Sequence, residues 1–193
     1  MLRDATVVDA DTVSILVLHE LERRQLRQLR RVTKEQLSQL LFVGYHQPKF
    51  RYGYPHARVY ENQGVAVGAA FGYPASVEVQ LDNQWTALFE RLQVSPPQVP
   101  VITPRALADE WYLDLLTVNP RYARKTYLQR WFDEWLMGDV LVRATASGQP
   151  VVGLDVRPGS RLAQMAAQFG FVGTQRRLLD RQPYYHLRYR LRE

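Results

Sequence analysis

One stretch of the sequence, residues 110–146, limits the possible fold more than any other. It opens with a near-continuous apolar run over Glu110–Val118, which is typical of a strand covered on both faces of a sheet. Asn119 and Pro120 interrupt the run, and apolar residues then recur at helical spacing over about residues 125–146. A strand, a tight loop and a helix N-terminus in this order bring several backbone N–H groups to one place, where they can bind a phosphate.

The elements around this stretch predict a mixed sheet. Another apolar run, at residues 151–156, follows the helix, and a strand–helix–strand unit of this kind favours parallel neighbours. Hairpin patterns at residues 57–73 and 171–191 add antiparallel strands. We therefore expect an α/β (α+β) chain whose residues 1–193 form a single domain.

Helices are predicted on either side of these strands. Asp9 or Asp11 caps a first helix that runs to about residue 31. Thr33 and Gln36 form a capping-box pattern, which starts a second helix that reaches about residue 44. Two further helices are predicted within residues 76–94 and 158–170.

The composition excludes several classes of protein. The 193 residues include no cysteine, which excludes disulfides, thiolate metal sites and a cysteine nucleophile. The four histidines have no metal-ligand spacing, so we predict no metal site. No apolar run reaches the roughly 18 residues of a membrane span, and the N-terminus lacks the apolar core of a signal peptide. We therefore expect a cytoplasmic protein with no membrane partner.

Arginine carries almost all of the positive charge. The net charge is +6, and the only lysines are Lys34, Lys49 and Lys125. The planar fork of arginine suits phosphate and carboxylate, so both a polyphosphate cofactor and a nucleic acid are chemically compatible partners. Much of the excess charge lies in residues 23–34 and 176–192, which we interpret as solvated faces. Nucleic acid is the least favoured partner.

Four local patterns, taken in their order along the chain, resemble the GCN5-related N-acetyltransferase (GNAT) family. Gly64-x-x-Val67-Gly68 followed by Tyr73-Pro74 is similar to the family's second and third strands. Residues 111–122 resemble its fourth strand and the following turn, residues 152–156 its fifth strand, and Phe169-Gly170-Phe171 the end of its last helix. The resemblance implies a mixed, mostly antiparallel twisted sheet of about six or seven strands, flanked by helices, with the fourth and fifth strands splayed apart.

The resemblance also implies acetyl-CoA, or another acyl-CoA, as co-substrate. The family's pyrophosphate loop, Arg/Gln-x-x-Gly-x-Gly/Ala, falls on six residues without a glycine: Ala123, Arg124, Lys125, Thr126, Tyr127 and Leu128. Arg124 and Lys125 can neutralise phosphate directly. The alternative is that the loop only caps the helix and its side chains block the cradle. The pantetheine arm is expected along the backbone from Leu116 to Val118.

Transfer to an amine requires a base that takes a proton from the acceptor ammonium. Glu110 and Asp114 are the candidates, because a carboxylate in an apolar strand is costly unless it is paired or functional. The alternative for each is a structural carboxylate paired with an arginine. Asp155, in the next predicted strand, has the same two interpretations, and we favour the structural one.

The residues that the family often uses to assist the leaving group are missing. The corresponding asparagine and tyrosine positions hold Gly159 and Ala166. Losing a general acid typically costs a factor of about 10²–10⁴ in rate. Tyr184, Tyr185 and His186 are candidates to replace it, or they are ordinary strand residues.

These observations predict an acyl-CoA-dependent N-acyltransferase that acts by direct transfer on an unidentified amine, either a small molecule or a peptide. The alternative is a degenerate GNAT-fold protein, catalytically weak or inactive, that serves as a ligand-binding or regulatory domain. A homodimer is compatible with the resemblance. A set of aromatic residues either walls the acceptor pocket or packs as a loop: Tyr45, His46, Phe50, Tyr52, Tyr54 and His56.

Overall fold

The computed structural model describes residues 1–26, 29–96, 104–123 and 126–191. Its strands are β1 (Leu2–Asp4), β2 (Ala57–Asn62), β3 (Val65–Pro74), β4 (Glu110–Val118), β5 (Val151–Val156), β6 (Val172–Leu179) and β7 (Gln182–Arg190). Its α-helices are α1 (Ala10–Arg24), α2 (Lys34–Tyr45), α3 (Glu78–Arg91), α4 (Pro120–Ala123), α5 (Thr126–Ala146) and α6 (Arg161–Gln168).

The described strands form one mixed sheet in the order β1-β2-β3-β4-β5-β7-β6. β4 and β5 are parallel, and the other neighbouring pairs are antiparallel. α5 connects β4 to β5, and a crossover of this kind is what parallel neighbours require. The predicted fold class, a mixed and mostly antiparallel sheet flanked by helices, is confirmed.

β4 and β5 meet at one end only. Residues 110–112 pair with residues 151–153. Beyond these pairs β4 stays bonded to β3 as far as Val118, while β5 stays bonded to β7 as far as Val156. The two strands therefore separate towards their carboxyl ends, as the resemblance predicted, and a gap opens in the sheet.

The sheet separates two hydrophobic cores. On one face, α1, α2 and α3 pack over β2 and β3, with Phe71 and Leu115 in the contact. On the other face, α5 and α6 cover Trp111, Leu113 and Leu154. Side chains alternate between the faces of a sheet along each strand. Neighbouring residues of β4 therefore enter different cores.

A β-bulge at Asp114 interrupts this alternation. Phe71 lies opposite Leu115 and Gly72 lies opposite Leu113, so β4 has one more residue than β3 between these pairs. A bulge changes the direction in which the neighbouring side chains point. As a result, Asp114 and Leu115 both face the side of the sheet that α1 covers. The bulge thus puts a carboxylate where β4 has just left β5.

Gly72, on the partner strand, permits a close contact at this bulge. A Cβ added there would lie 2.0 Å from Cη2 of Trp111, so the indole ring occupies the space that a side chain would need. Gly72 therefore accompanies both the bulge and a close approach of the Trp111 ring to the backbone.

The helix ends agree with the sequence in some places and not in others. The Gln36 N–H donates to Thr33 Oγ1 at 3.2 Å and the Thr33 N–H donates to Gln36 Oε1 at 2.9 Å, so the predicted capping box is confirmed. The prediction that the first helix continues to about residue 31 is wrong. α1 ends at Arg24, because Gln25 adopts a left-handed conformation with φ of 52°.

None of the helices within the described ranges combines the length and the apolar character that crossing a membrane requires. The assignment of residues 1–193 to a single domain stays a prediction.

Candidate functional site

The second half of β4 lines the gap in the sheet. This half pairs with a neighbouring strand along one edge only. From Leu113 onward β4 pairs with β3, and no strand among the described residues pairs with its other edge. Leu116 and Val118 are half-buried in this part of the strand. Backbone N–H and C=O groups on an edge of this kind can bind an extended ligand as a further strand would.

A short helical turn connects the end of β4 to α5. Asn119 caps it, since its Oδ1 accepts the N–H of Arg121 at 3.0 Å and its carbonyl accepts the N–H of Tyr122 at 2.9 Å. The predicted phosphate cradle falls on Arg124 and Lys125, which lie outside the described residues. It also falls on four residues of which only the backbone is described: Ala123, Thr126, Tyr127 and Leu128. The cradle therefore stays a prediction.

Asp114 is buried and lies between two arginines. Arg51 Nη1 donates to its Oδ2 at 3.1 Å, and Arg24 Nη2 donates to its backbone carbonyl at 2.6 Å. Burial disfavours the carboxylate, but Arg51 and Arg24 outweigh burial and lower the pKa of Asp114. Asp114 is thus ionised at neutral pH. The geometry fits the structural alternative, and a catalytic role stays a prediction.

Arg51 is a fully buried cation that holds three carboxylates together. Besides Asp114 it contacts Glu78, with Nη2 at 3.2 Å from Oε1, and Asp82, with Nε at 2.6 Å from Oδ1. It also bonds the Tyr73 hydroxyl. Burial raises the pKa of Asp82 to about 6 despite the attraction of Arg51. Arg51 thereby anchors the bulge of β4 to the start of α3.

The aromatic loop that contains Arg51 is packed into the core. Phe50 and Tyr52 are buried, and the Phe50 ring meets the Trp85 ring edge-on with 4.8 Å between centroids. The packed-loop alternative fits this arrangement better than a pocket wall does. Sequence reasoning does not find Arg51, although a charged residue between two apolar aromatic residues is a signal that it is buried and paired.

Glu110, at the paired end of β4, lies across β5. A Cβ on Gly153 would be 2.3 Å from Glu110 Oε2, so the carboxylate occupies the space above that glycine. Its Oε1 is 2.9 Å from His186 Nε2 and accepts from Arg188 Nε at 2.7 Å, and its Oε2 accepts the Leu107 N–H at 2.8 Å. Both carboxylate oxygens of this predicted base are therefore occupied.

His186 continues the network to a second carboxylate. Its Nδ1 is 2.9 Å from Asp155 Oδ1, and the Tyr112 hydroxyl donates to Asp155 Oδ2 at 2.9 Å. Burial disfavours a charged ring, but hydrogen bonds to Asp155 and Glu110 outweigh burial and raise the pKa of His186. An imidazolium that donates to both carboxylates accounts for the arrangement.

The C-terminus of α1 closes one side of the gap. Arg157, directly after β5, donates from Nη2 to the carbonyl of Arg24 at 2.9 Å, while Arg24 bonds the backbone of β4. Arg157 Nε also donates to the Tyr184 hydroxyl at 2.9 Å. These bonds connect β4, β5 and β7 around the opening. Sequence reasoning assigns Arg24 to a solvated face, because its partners are distant in sequence.

The two residues that stand in place of the family's asparagine and tyrosine do not supply a proton donor. Gly159 lies in a turn with φ of 69°, and Ala166 lies within α6 and is buried in the second core. Among the proposed replacements, Tyr185 is 44% exposed, His186 is fully buried, and Tyr184 is bonded to Arg157 beside the gap.

The arginine-rich stretch at residues 176–192 is not one solvated face. Arg177 Nη1 lies 3.5 Å from Asp155 Oδ1, and Arg188 pairs with Asp109 and Glu110. Both arginines are half-buried. The prediction of a solvated face therefore holds only for exposed neighbours such as Arg176 and Arg190.

No protein-family model matches the sequence, and no curated protein matches it in sequence. Solved structures are similar to the whole chain. A structure described as an acetyltransferase is 29% identical, covers 100% of both chains and has a TM-score of 0.83. An N-acetyltransferase from Staphylococcus aureus Mu50 is 20% identical over 98% of this chain and 100% of that one, with a TM-score of 0.82.

A third similar structure, from Salmonella typhimurium, contains its cofactor acetyl-CoA. It is 15% identical, covers 100% of this chain and 94% of its own, and has a TM-score of 0.62. At such low identity it supports the fold alone. The separated strands and the full-length similarity together confirm the resemblance of this chain to the GCN5-related N-acetyltransferases.

Proposed function

We propose that this protein is an acyl-CoA-dependent N-acyltransferase that transfers an acetyl group directly to an amine, either a small molecule or a peptide. The observation that carries the proposal is the separation of β4 from β5 after three residue pairs, beside a cluster of buried charged side chains. The similarity to solved acetyltransferases over the full chain supports it.

Acetyl-CoA fits the gap by its chemistry. Its extended pantetheine arm carries amide groups, which can bond the free edge of β4 between Leu116 and Val118. The N-terminus of α5, which begins at Thr126, offers N–H groups and the positive end of a helix dipole to a pyrophosphate. Arg124 and Lys125 precede it and supply positive charge for the same group.

The transfer step forms one bond and breaks one. The neutral amine nitrogen attacks the thioester carbonyl carbon, and the carbon–sulfur bond then breaks to release the thiolate of coenzyme A. The ammonium form of the acceptor loses two protons in all. One protonates the thiolate, and the other is released to solvent.

The geometry favours Asp114 over Glu110 as the group that receives the ammonium. Asp114 Oδ1 has no hydrogen-bond partner among the described residues, and it lies in the separated half of β4. Glu110 has both oxygens occupied and holds His186 in position. Asp114 therefore binds and orients the ammonium, whose first proton passes to solvent, and Glu110 supports the charged network next to it.

Tyr184 is the proposed proton donor to the departing thiolate. Its hydroxyl accepts a hydrogen bond from Arg157, which leaves the hydroxyl proton free to be donated, and Arg157 borders the gap. The loss of this donor costs a factor of about 10²–10⁴ in the transfer step. Phenylalanine at this position keeps the ring and removes only the hydroxyl.

Calorimetric titration with acetyl-CoA tests the proposal. We expect saturable binding by the wild type, and binding that is weaker by about tenfold or more when Arg124→Gln and Lys125→Gln are combined, since each charge-assisted contact contributes about 1.5–3 kcal/mol. The control combines Lys49→Gln with Arg91→Gln, two exposed residues outside the gap. This control removes the same charge and leaves the affinity unchanged.

Two results separate this proposal from a degenerate protein of the same fold. If the wild type does not bind acetyl-CoA at millimolar concentration, the enzyme proposal is rejected. If it binds acetyl-CoA but releases no thiol with any amine offered, the protein is a ligand-binding or regulatory domain. The predicted homodimer is independent of both outcomes and stays a prediction.

A further inference from the structure

Several polar side-chain atoms without hydrogen-bond partners are buried close to the opening between β4 and β5. They include the neutral Tyr52 hydroxyl and three atoms of charged groups, Arg24 Nη1, Arg105 Nε and Asp114 Oδ1, and none of them has a hydrogen-bond partner among the described residues. Buried polar atoms are almost always bonded, and each one left unpaired is destabilising. Of the three atoms of charged groups, two belong to cations and one to an anion. Together they would match a ligand that carries both charges.

Arg24 lies directly beside Asp114. Its Nη2 donates to the Asp114 backbone carbonyl at 2.6 Å, and its own carbonyl is held by Arg157. Its Nη1 is 3.6 Å from Asp114 Oδ1, which is longer than a hydrogen bond. A free donor and a free acceptor are thus next to each other. An α-amino acid presents its ammonium and carboxylate groups at a similarly short separation.

Hydrogen bonds to its backbone hold Arg105 in place, so its side chain is available to bind a ligand. Its N–H donates to Glu78 Oε2 at 3.0 Å, and its carbonyl accepts from Arg177 Nη1 at 2.5 Å. Burial disfavours the guanidinium charge, but the nearby Tyr112 and Asp114 outweigh burial and raise the pKa of Arg105. Among the described residues its guanidinium forms no ion pair. A permanent cation in such a setting requires an anion.

We propose that the acceptor is an amine with a carboxylate on the neighbouring carbon, that is, an α-amino acid. Arg24 and Arg105 donate to the carboxylate, and Asp114 Oδ1 accepts from the ammonium. The planar fork of arginine matches the two oxygens of a carboxylate. The acetylation of this amine rests on the proposed function, whereas the binding of the amino acid does not.

The two cations would make the site reject amines without a carboxylate. Arg24 also pairs with Glu20 at 3.2 Å, so binding such an amine leaves the Arg105 guanidinium buried without an anion, and it adds a further positive charge. Sites that bond a polar group of the substrate discriminate strongly against analogues that lack that group. We expect an affinity difference of at least about 100-fold between an amino acid and its decarboxylated amine.

Calorimetry without acetyl-CoA tests this preference. The probes are the twenty standard amino acids, each paired with the amine that its decarboxylation would give (phenethylamine for phenylalanine, tyramine for tyrosine), and O-phosphoethanolamine against ethanolamine. We expect at least one amino acid to bind and its amine partner to bind at least about 100-fold more weakly. The proposal is overturned if no amino acid binds, if the amines bind equally well, or if only the phosphate compound binds.

Two variants locate the site. Arg105→Met keeps the backbone bonds to Glu78 and Arg177 and removes the cation, so amino-acid binding falls by at least about 100-fold while acetyl-CoA binding is unchanged. Arg24→Lys keeps the charge and loses the fork, and it weakens amino-acid binding by about tenfold. Arg91→Gln is the matched control, since this arginine is exposed at the end of α3.

The same titrations separate the failure of this proposal from the failure of the proposed function. If acetyl-CoA binds and Arg105→Met retains wild-type affinity for the amino acid, the acceptor assignment is wrong and the enzyme proposal stands. If an amino acid binds with the expected preference and acetyl-CoA does not bind, the acceptor site stands and the enzyme proposal is rejected.

Discussion

Glu110 reaches His186 by crossing β5 at a residue that has no side chain. A Cβ on Gly153 would lie 2.3 Å from Oε2 and 2.4 Å from Cδ of Glu110. Gly153→Ala therefore forces the carboxylate away from His186 and Arg188 and leaves buried charges without partners. We expect the free energy of unfolding to fall by about 1–3 kcal/mol in urea titrations, the usual cost of overpacking.

A glycine in open space is the control for this substitution. Gly138 lies within α5, and a Cβ added there has no atom within 4 Å outside the helix. Gly138→Ala should stabilise the protein by up to about 1 kcal/mol, because alanine favours the helix. Equal stability of Gly153→Ala and the wild type would mean that Glu110 does not lie over β5.

The charge of His186 makes the stability of the network depend on pH. Its pKa is raised in the folded protein, so its contribution is fully present below the unfolded value of about 6.5 and is lost as pH rises through the folded value. The stability difference between the wild type and His186→Gln should therefore be largest near pH 6 and shrink above it. Urea unfolding from pH 5.5 to 9 measures the difference. A difference that stays constant over this range would show that the pKa of His186 does not change on folding.

Sequence reasoning finds the carboxylates of the site but not their partners. Glu110 and Asp114 stand out locally, because each is a charged residue in an apolar strand. Their partners come from elsewhere in the chain. Arg51 is 63 residues from Asp114, and His186 is 76 residues from Glu110. No local pattern encodes a pairing over such distances, so whether the carboxylates were paired could not be decided from the sequence.

At the scale of elements, strands were easier to predict than helix ends. The bounds of β4 and β5 match the apolar runs, because a strand buried on both faces shows as continuous hydrophobic sequence. The end of α1 depends on one backbone conformation, that of Gln25, which the residue type does not indicate. The separation of β4 from β5 leaves no signal in either strand, and only the family resemblance predicted it.

The end of α1 offers a test of this left-handed conformation. Gln25 has φ of 52°, which is strained for a residue with a Cβ and easy for glycine. Gln25→Gly should therefore stabilise the protein by about 0.5–1 kcal/mol in thermal or urea unfolding. Gln39→Gly, at an exposed position inside α2, should destabilise it by about 1 kcal/mol. Destabilisation by both variants would contradict the helix end described here.

At the scale of the whole molecule, the sheet has a seam between β4 and β5. Residues 110–112 and 151–153 provide its backbone pairs, and buried side chains such as Glu110 and His186 reinforce it. The pairings on either side are longer, with seven residue pairs between β3 and β4 and six between β5 and β7. The seam is therefore the part of the sheet where a ligand adds most to the existing contacts.

Hydrogen exchange measured by mass spectrometry tests whether acetyl-CoA occupies the gap between β4 and β5. A ligand at 100 times its Kd stabilises the folded protein by about 2.7 kcal/mol, which slows all exchange that requires global unfolding. Exchange through local opening slows only where the ligand binds. We expect residues 113–118 to gain protection beyond the global effect, because their backbone groups on the gap side gain partners. Residues 57–62, in the middle of the antiparallel half, should show the global effect alone. Equal slowing in both segments would mean that acetyl-CoA binds outside the gap.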